Sequence, residues 1–477
     1  MRVALEMYTG HFGAMDIQSS PPVRYAARLG LFSGTMLVVG GIIGSGIFLS
    51  PSVVAQRVGS ASLTVAAWGI GALVAIIGGF VYAELGARRP QAGGTYVYLR
   101  EAFGTLPAFL YGWALFLIMA TGAIAAVAMT GASYLAMLLG WAPEQARTIA
   151  IALIVILTLL NVLGVRLGAT TGNVLTVLKL SAIAVLVVAA LVMSPANTLP
   201  VATVVATPLV PPQGLTATVV AMGAALVPVL FSFGGWQQTN AVAEELRDPA
   251  RTLPRALILG VLIVAATYLL VNLAYLRALG VEGLAASSAP AADTMFVYLG
   301  PAGHTLITCG IVASTVGFLG MVILMSARVY QAMAADGLFF RSMAALHPTT
   351  QTPVVALVAQ GAVALVLLLS GTYGQLLDYV VFADWIFFGS TAAALFVLRR
   401  RDAHGRDAHA AVAPVPHTPG HPVTTLLFIA AAVYVVIGSV LSNPGNAARG
   451  AALLGLGVPV YWYWNARRGA GRTRGAP

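Results

Sequence analysis

The sequence predicts an all-α membrane protein of about twelve transmembrane helices, and three observations predict it. The chain of 477 residues is 59% hydrophobic and only 8% charged, where a soluble domain carries about 25% charged residues. So few charges cannot cover a water-facing surface. Its apolar runs are about 20 residues long, the length at which a helix crosses a hydrocarbon core ~30 Å thick. Its arginines fall in short loops between those runs, and mostly in alternate loops.

The first 29 residues are polar to mixed, with Arg24 and Arg28 just before the first apolar run. They carry no signal peptide with a small-residue cleavage site. They are expected to form a cytoplasmic tail, and Met15 is a candidate start. The spans that follow are expected near 31–56, 63–86, 105–138, 148–165, 172–193, 216–242, 255–276, 304–333, 353–371, 376–398, 423–441 and 447–465. Gly, Ala, Ser and Thr are scattered through each, and small residues let helices approach closely in a bundle. Residues 30–398 then form a ten-span core, 399–422 a cytoplasmic linker, 423–465 two further spans, and 466–477 a second cytoplasmic tail. Residues 194–215, rich in Pro, Val and Thr, are expected as an external loop.

Lys and Arg favour the cytoplasmic side. With the N-terminus inside, only Arg57, Arg147, Arg277 and Arg449 fall outside, and Lys179 lies within span 5. Shifting the phase by one span reverses the bias, so both termini are placed in the cytoplasm and the chain in the inner (plasma) membrane.

A net charge of +10 raises the question of nucleic acid, but the arginines are spread over loops and no basic domain exists to bind it. The lone cysteine, Cys309, excludes a disulfide framework or a multi-cysteine metal site, and is expected as a small buried core residue. His404, His409, His417 and His421 have no regular helical spacing and read as a solvated loop. No metal and no cofactor are expected. Nor is an enzyme: there are no paired catalytic carboxylates and no His-Glu-x-x-His site. A continuous polar lining for a channel and a soluble output domain for a sensor are both missing.

Two spans are interrupted. Span 1 reads Val39-Gly-Gly-Ile-Ile-Gly-Ser-Gly-Ile-Phe48, and span 6 reads Val227-Pro-Val-Leu-Phe-Ser-Phe-Gly-Gly-Trp236. Glycine costs a helix ~1 kcal/mol relative to alanine, and Pro228 deletes a backbone hydrogen bond. The two breaks fall at the first span of a first five and of a second five. Paired interruptions of this kind point to a transporter's substrate site. Unwound backbone in a membrane costs several kcal/mol per unsatisfied group, so it persists only where something polar fills the gap. N–H groups at a half-helix start suit a carboxylate, and freed carbonyls suit an ammonium. A zwitterionic amino acid offers both. A dinucleotide loop at Gly41-x-x-Gly44-x-Gly46 is excluded because no strand precedes it.

These segments resemble the amino acid–polyamine–organocation superfamily, and within it the L-type amino acid transporter-like group. The resemblance rests on Gly41-Ile-Ile-Gly-Ser-Gly-Ile-Phe48, Tyr82-Ala-Glu-Leu-Gly86 with Pro90 and Gly93-Gly-Thr-Tyr-Val-Tyr-Leu99, and Asn161-Val-Leu-Gly-Val-Arg166. It continues through Phe231-Ser-Phe-Gly-Gly-Trp236, Glu244-Glu-Leu-Arg-Asp-Pro249 with Leu253-Pro-Arg255, and Ser326-Ala-Arg328. It implies a LeuT-type fold of two inverted five-helix repeats with spans 11 and 12 added, and secondary active amino acid transport by alternating access. The expected substrate is a neutral L-amino acid; a polyamine or organic-amine carrier is the alternative.

By the same resemblance, the Ser45 and Gly46 amides, beside Gly44, hold the substrate carboxylate. Carbonyls near Ile42, Phe231 and Ser232 hold its amine, next to Phe233 and Gly234. Phe231 also gates the site, and Asn240 lends it polarity. Lys179, the only lysine and ~10 Å inside span 5, resembles a lysine standing in for the sodium ion of related carriers, with Ser314 its neighbour. That implies sodium-independent transport. Glu84 and Arg88, one turn apart, form a cytoplasmic cap or gate pair. Asp384, ~13 Å inside span 10, departs from the family pattern, which has a neutral or variable residue there. A carboxylate at that depth is expensive and functional by default. Staying protonated, relaying a proton as coupling ion and meeting a cationic group are its open roles. Gly317-Phe-Leu-Gly-Met321 makes the pocket wall more apolar than the pattern. Mammalian members join a glycoprotein through a cysteine between spans 3 and 4; residues 139–147 contain none, so no disulfide-linked heavy chain is expected.

Overall fold

The computed structural model describes residues 29–91, 93–164, 169–198, 209–370, 373–404 and 416–473. The expected tail over 1–28, Arg166, residues 199–208 of the expected 194–215 loop and His409 lie outside the described residues. Those described are helical between short connections, apart from one isolated parallel bridge between Leu29 and Leu246.

Nine of the described helices are long and apolar enough to cross a membrane, and a tenth span arises if Leu31–Ile42 and Gly46–Val58, bent by 41°, count as one. Val354–Ser370 is apolar but shorter, and the last expected span is broken into Pro444–Gly455 and Gly457–Thr473. The chain is thus a multi-pass α-helical membrane protein. Two helices overrun their expected ends. Span 7 runs Pro249–Ala286 and span 8 runs Pro290–Ala335, because their kinks at Gly280 (φ 66°) and Gly300 (φ 59°) turn the chain and let it resume a helix. The intervening segment is therefore helical instead of a loop. Cys309, expected in the core, is exposed on the outside of span 8; a thiol is apolar enough to face lipid there.

The packing has an internal symmetry. Span 2 (Ala61–Arg88) lies along span 7, span 3 (Thr105–Leu139) along span 8, and span 4 (Ala146–Val162) along span 9 (Val354–Ser370). Span 5 (Ala169–Val192) packs on span 8 as span 10 (Tyr373–Ala403) packs on span 3. Exchanging the first five spans for the second five maps each pairing onto another, as inverted repeats require. Span 3 contains a π-helical turn, Leu115–Met119, a feature often found at functional sites.

One end of the bundle is basic. It carries Leu29, Arg88, Arg247 and Arg399, and it is referred to below as the basic face. A charged network closes it around Glu84, which is 1% exposed. Arg88 Nε donates to Glu84 Oε1 at 2.9 Å, Arg399 donates to both carboxylate oxygens at 2.8 and 2.6 Å, and the Thr418 amide donates to Oε2 at 2.7 Å. Arg88 and Arg89 both reach Asp402, at 2.5 and 2.9 Å, and Arg89 also pairs with Glu101. Burial works against the Arg89 charge, but Asp402 and Glu101 outweigh it and raise its pKa above the ordinary arginine value. The network ties span 2 to span 10, to the short helix Thr95–Phe103 and to the residues before span 11. Removing one member of a buried ion-pair network leaves the others uncompensated, at ~3 kcal/mol or more. Glu84→Gln is therefore expected to lower the melting temperature of the detergent-purified protein by several degrees; an unchanged melting curve would remove the network from the stability argument.

Candidate functional site

Each interrupted span is two half-helices. Span 1 is 1a (Leu31–Ile42) and 1b (Gly46–Val58); span 6 is 6a (Gly214–Phe233) and 6b (Gln238–Ala241). The breaks meet. Gly235 has φ 114°, and a Cβ there would stand 2.1 Å from the Gly41 carbonyl oxygen. A Cβ on Gly46 would stand 2.4 to 2.7 Å from Ser232. Both positions are closed to any side chain, so the two unwound segments run backbone to backbone.

Freed carbonyls in this region are claimed by side chains from neighbouring spans. Pro228 has no N–H to give Ala224 O, four residues back; Arg57 of 1b takes that oxygen. Pro51 likewise frees Ile47 O, which the Tyr275 hydroxyl reaches at 3.3 Å. The Tyr268 hydroxyl of span 7 bridges the breaks, its one proton shared between Ser232 O at 3.0 Å and Ile42 O at 3.3 Å. The Lys179 ammonium donates to Ile43 O, with Gly40 O at 3.5 Å. It thus occupies the carbonyl end of 1a, where the helix dipole favours a cation, and it is 3% exposed, so it does not snorkel to the interface.

The start of 1b is treated differently. Its N-cap, Ser45, makes no side-chain capping bond, and Ser45 Oγ is buried without a partner. The first amides of a helix have no acceptor within it. This uncapped turn opens onto a cavity of about 840 Å³, counting the space open to solvent. Ile42, Gly44, Ser45 and Gly46 line it from span 1, and Phe231, Ser232 and Gly234 from span 6. Its wall continues through Tyr111, Leu115 and Met119 of span 3, Phe318 and Val329 of span 8, and Asp384 of span 10. On span 1 the lining stops at Gly46, whereas away from the breaks it reaches Gly93, Ala241 and Val329, so the cavity extends toward the basic face.

Seven of the nine expected substrate residues therefore share one cavity. Phe233 and Asn240 do not line it. Phe233 is fully buried behind the break, its ring 4.9 Å from that of Tyr268 and 5.9 Å from that of Trp68. Asn240 turns away to donate to Tyr82 O at 3.0 Å and to the Tyr98 hydroxyl at 2.9 Å. Its amide fixes 6b to span 2 and lends the pocket no polarity. Gln237 and Gln238, its neighbours, face the cavity instead. Ser314 shares a helix face with Gly310 and Gly317, which pack on Ala182 and Leu175 of span 5. Its hydroxyl has no partner, and the hydrogen bonds of Lys179 go to span 1. Glu84 lies in the basic-face network, away from the cavity.

Tyr268 and Phe318 were not singled out from the sequence. A Cβ on Gly44 would stand 3.3 Å from the Phe318 ring, which packs that ring against the break in span 1. The signal was present in the apolar reading of residues 317–321. For Tyr268, one tyrosine within a long apolar span, nothing local marked it.

The fold and the site define a carrier whose substrate sits between two half-broken helices. The profile of the family described as Amino acid permease matches residues 29–457, and the chain belongs to that family, with its LeuT-type fold. It is 31% identical to the Serine/threonine exchanger SteT of Bacillus subtilis (strain 168) over 92% of this chain and 97% of that protein. It is 30% identical to the human b(0,+)-type amino acid transporter 1, covering 90% and 86% of the two chains. It is 31% identical to the mouse Large neutral amino acids transporter small subunit 2, covering 92% and 81%. The protein is an amino acid transporter and not an enzyme.

Tyr268→Phe keeps the ring packing and removes only the hydroxyl that spans both breaks. Leaving buried carbonyls short of a donor costs ~1–3 kcal/mol, so substrate affinity is expected to fall roughly tenfold. Substrate titration of uptake tests this; wild-type kinetics would relegate the bridge to packing.

Proposed function

We propose that this protein is a sodium-independent carrier that exchanges L-amino acids across the plasma membrane, holding each substrate by its α-carboxylate and α-amine on the main chain of the two breaks. The uncapped start of 1b beside the carbonyls of Ile42, Phe231 and Ser232 carries this reading. Amides favour an anion at a helix start, while the Phe231 and Ser232 carbonyls keep a second lone pair for an ammonium; Ile42 O already accepts from the Gly44 amide and from Tyr268. Neutral side chains suit the wall formed by Leu115, Met119, Phe318 and Val322.

Sodium independence is supported by Lys179, whose charge sits on the carbonyl end of 1a where a cation would otherwise be bound. Exchange is supported by the printed name of the SteT relative. The concentration of arginines on the basic face supports placing that face in the cytoplasm, with both termini there. The cavity then opens inward. A twelve-span count includes Val354–Ser370 and the broken last span, and a partner tethered by a disulfide between spans 3 and 4 is not part of the proposal, because residues 139–147 hold no cysteine. A proton as coupling ion is left to the assay.

Proteoliposomes loaded with unlabelled amino acids and supplied with a radiolabelled panel test this directly. Counterflow is expected without sodium, and decarboxylated analogues should compete poorly, since they lack the carboxylate. Strong competition by diamines would favour the polyamine alternative; a requirement for sodium would sink the role given to Lys179. Lys179→Ala is expected to abolish or uncouple transport, because the carbonyl end of 1a loses its cation. Wild-type uptake in that variant would contradict the assignment.

A further inference from the structure

Among the described residues, Asp384 alone lines the cavity with an ionisable carboxylate or cationic side chain. It sits 11 residues into span 10, about 16 Å along the helix, near the middle of the membrane. Among the described residues no hydrogen bond or ion pair reaches its carboxyl group. The contrast with the other acid deep in span 2 is informative. Glu84 is buried too, yet two arginines and a backbone amide saturate it. Lys179, the cation within span 5, is committed to the carbonyls at the end of 1a.

A carboxylate at this depth is costly without a partner, and the described residues supply none. The space Asp384 faces is the substrate cavity, which also borders the breaks in spans 1 and 6. The α-carboxylate and α-amine are taken by the breaks in spans 1 and 6, so what reaches the span 10 wall is the far end of the substrate's side chain. Tyr111 and Thr95 bring hydroxyl groups to the same cavity. The rest of the wall near it, Val380, Met119 and Ala123, is apolar and suits the methylene stem of a long side chain.

We propose that Asp384 is a specificity-determining residue that pairs with a cationic group at the end of the substrate side chain, so that the carrier accepts dibasic amino acids alongside neutral ones. The inference rests on the amino acid carrier reading above and adds the second charge. A lysine, ornithine or arginine fits its demand: a zwitterionic head, an aliphatic stem and a terminal cation.

The test is competition against counterflow of a labelled neutral amino acid in proteoliposomes, using isosteric pairs: L-lysine against L-norleucine, and L-arginine against L-citrulline. Within each protein the readout is the ratio of inhibition constants, which cancels differences in amount and overall activity. In the wild type the cationic member of each pair is expected to compete at least as well as its neutral isostere. In Asp384→Asn the ratio should shift against the cation by roughly tenfold or more, the size of a charge-assisted contact, and Asp384→Glu should restore much of it. Should Asp384→Asn fail to fold, the wild-type ratios still decide. A wild type that lysine and arginine do not inhibit, while norleucine and citrulline do, overturns this proposal alone. So does Asp384→Asn with unchanged ratios but a lost response to a pH gradient, which would make the acid a proton site. A wild type that carries no amino acid of either kind overturns the carrier reading and this one with it.

Discussion

Backbone polar groups cannot be left bare in hydrocarbon, and the site depends on how this chain meets that constraint at its two broken helices. The carbonyls and the amides are handled in opposite ways. Ala224 O goes to Arg57, Ile47 O to Tyr275, Ser232 O and Ile42 O to Tyr268, and Ile43 O to Lys179. Every donor comes from a different segment than its acceptor, so each bond also fixes one helix to another. The first amides of 1b receive no side-chain cap. An opening that spends its hydrogen-bond donors on carbonyls and leaves amides toward a cavity is built for an anionic group, and the proximity of the Gly235 and Gly41 backbones ensures that both breaks face the same guest.

The breaks were legible in the sequence because glycine and proline act on the backbone itself. Gly41, Gly44, Gly46, Pro228, Gly234 and Gly235 mark positions where a helix is weakened whatever surrounds it, and their matched placement in two halves pointed to one site. Side-chain direction was less legible. Phe233 and Phe231 differ by two positions, about 200° around a helix, and only the packing decides which faces the cavity. Asn240 was assigned to the pocket for its polarity, yet a buried amide takes whatever partners are nearest, and here Tyr82 O and the Tyr98 hydroxyl stand closer than the cavity. Cys309 was misplaced for the converse reason: in a lipid-facing bundle, apolar character does not distinguish inside from outside. The ends of spans 7 and 8 escaped because a glycine at positive φ can continue into a further helix as readily as it can end one.

Three ionisable residues within the spans illustrate separate solutions to one problem. Glu84 is surrounded by cations of the protein and has become structure, which is why it belongs to the basic-face network and not to the transport path. Lys179 faces main-chain carbonyls, and so reports on the state of 1a: its bonds to Gly40 and Ile43 hold only while 1a ends where it does. Among the described residues Asp384 has neither kind of partner, and it borders the substrate cavity. Sequence depth alone treats the three alike. Their partners separate them.

The same bonds bear on how the site alternates. On the side away from the basic face, 1b and 6a are joined by Arg57 and by the closed contact of Gly46 with Ser232, so opening that side requires breaking both. On the basic face, 1a is attached to the segment after 6b through Leu29 and the backbone of Glu245 and Arg247, at 2.9 and 2.8 Å, and these half-helices can move as a pair without losing that attachment. A ligand shifts a conformational balance only by binding one state better than another. A substrate gripping the amides of 1b and the carbonyls of 1a and 6a is held by both the stitched pair and the movable pair. Its binding energy is therefore greatest when 1a and 6b close on it, which is the step that seals the basic face and makes the contact of 1b with 6a the next to yield.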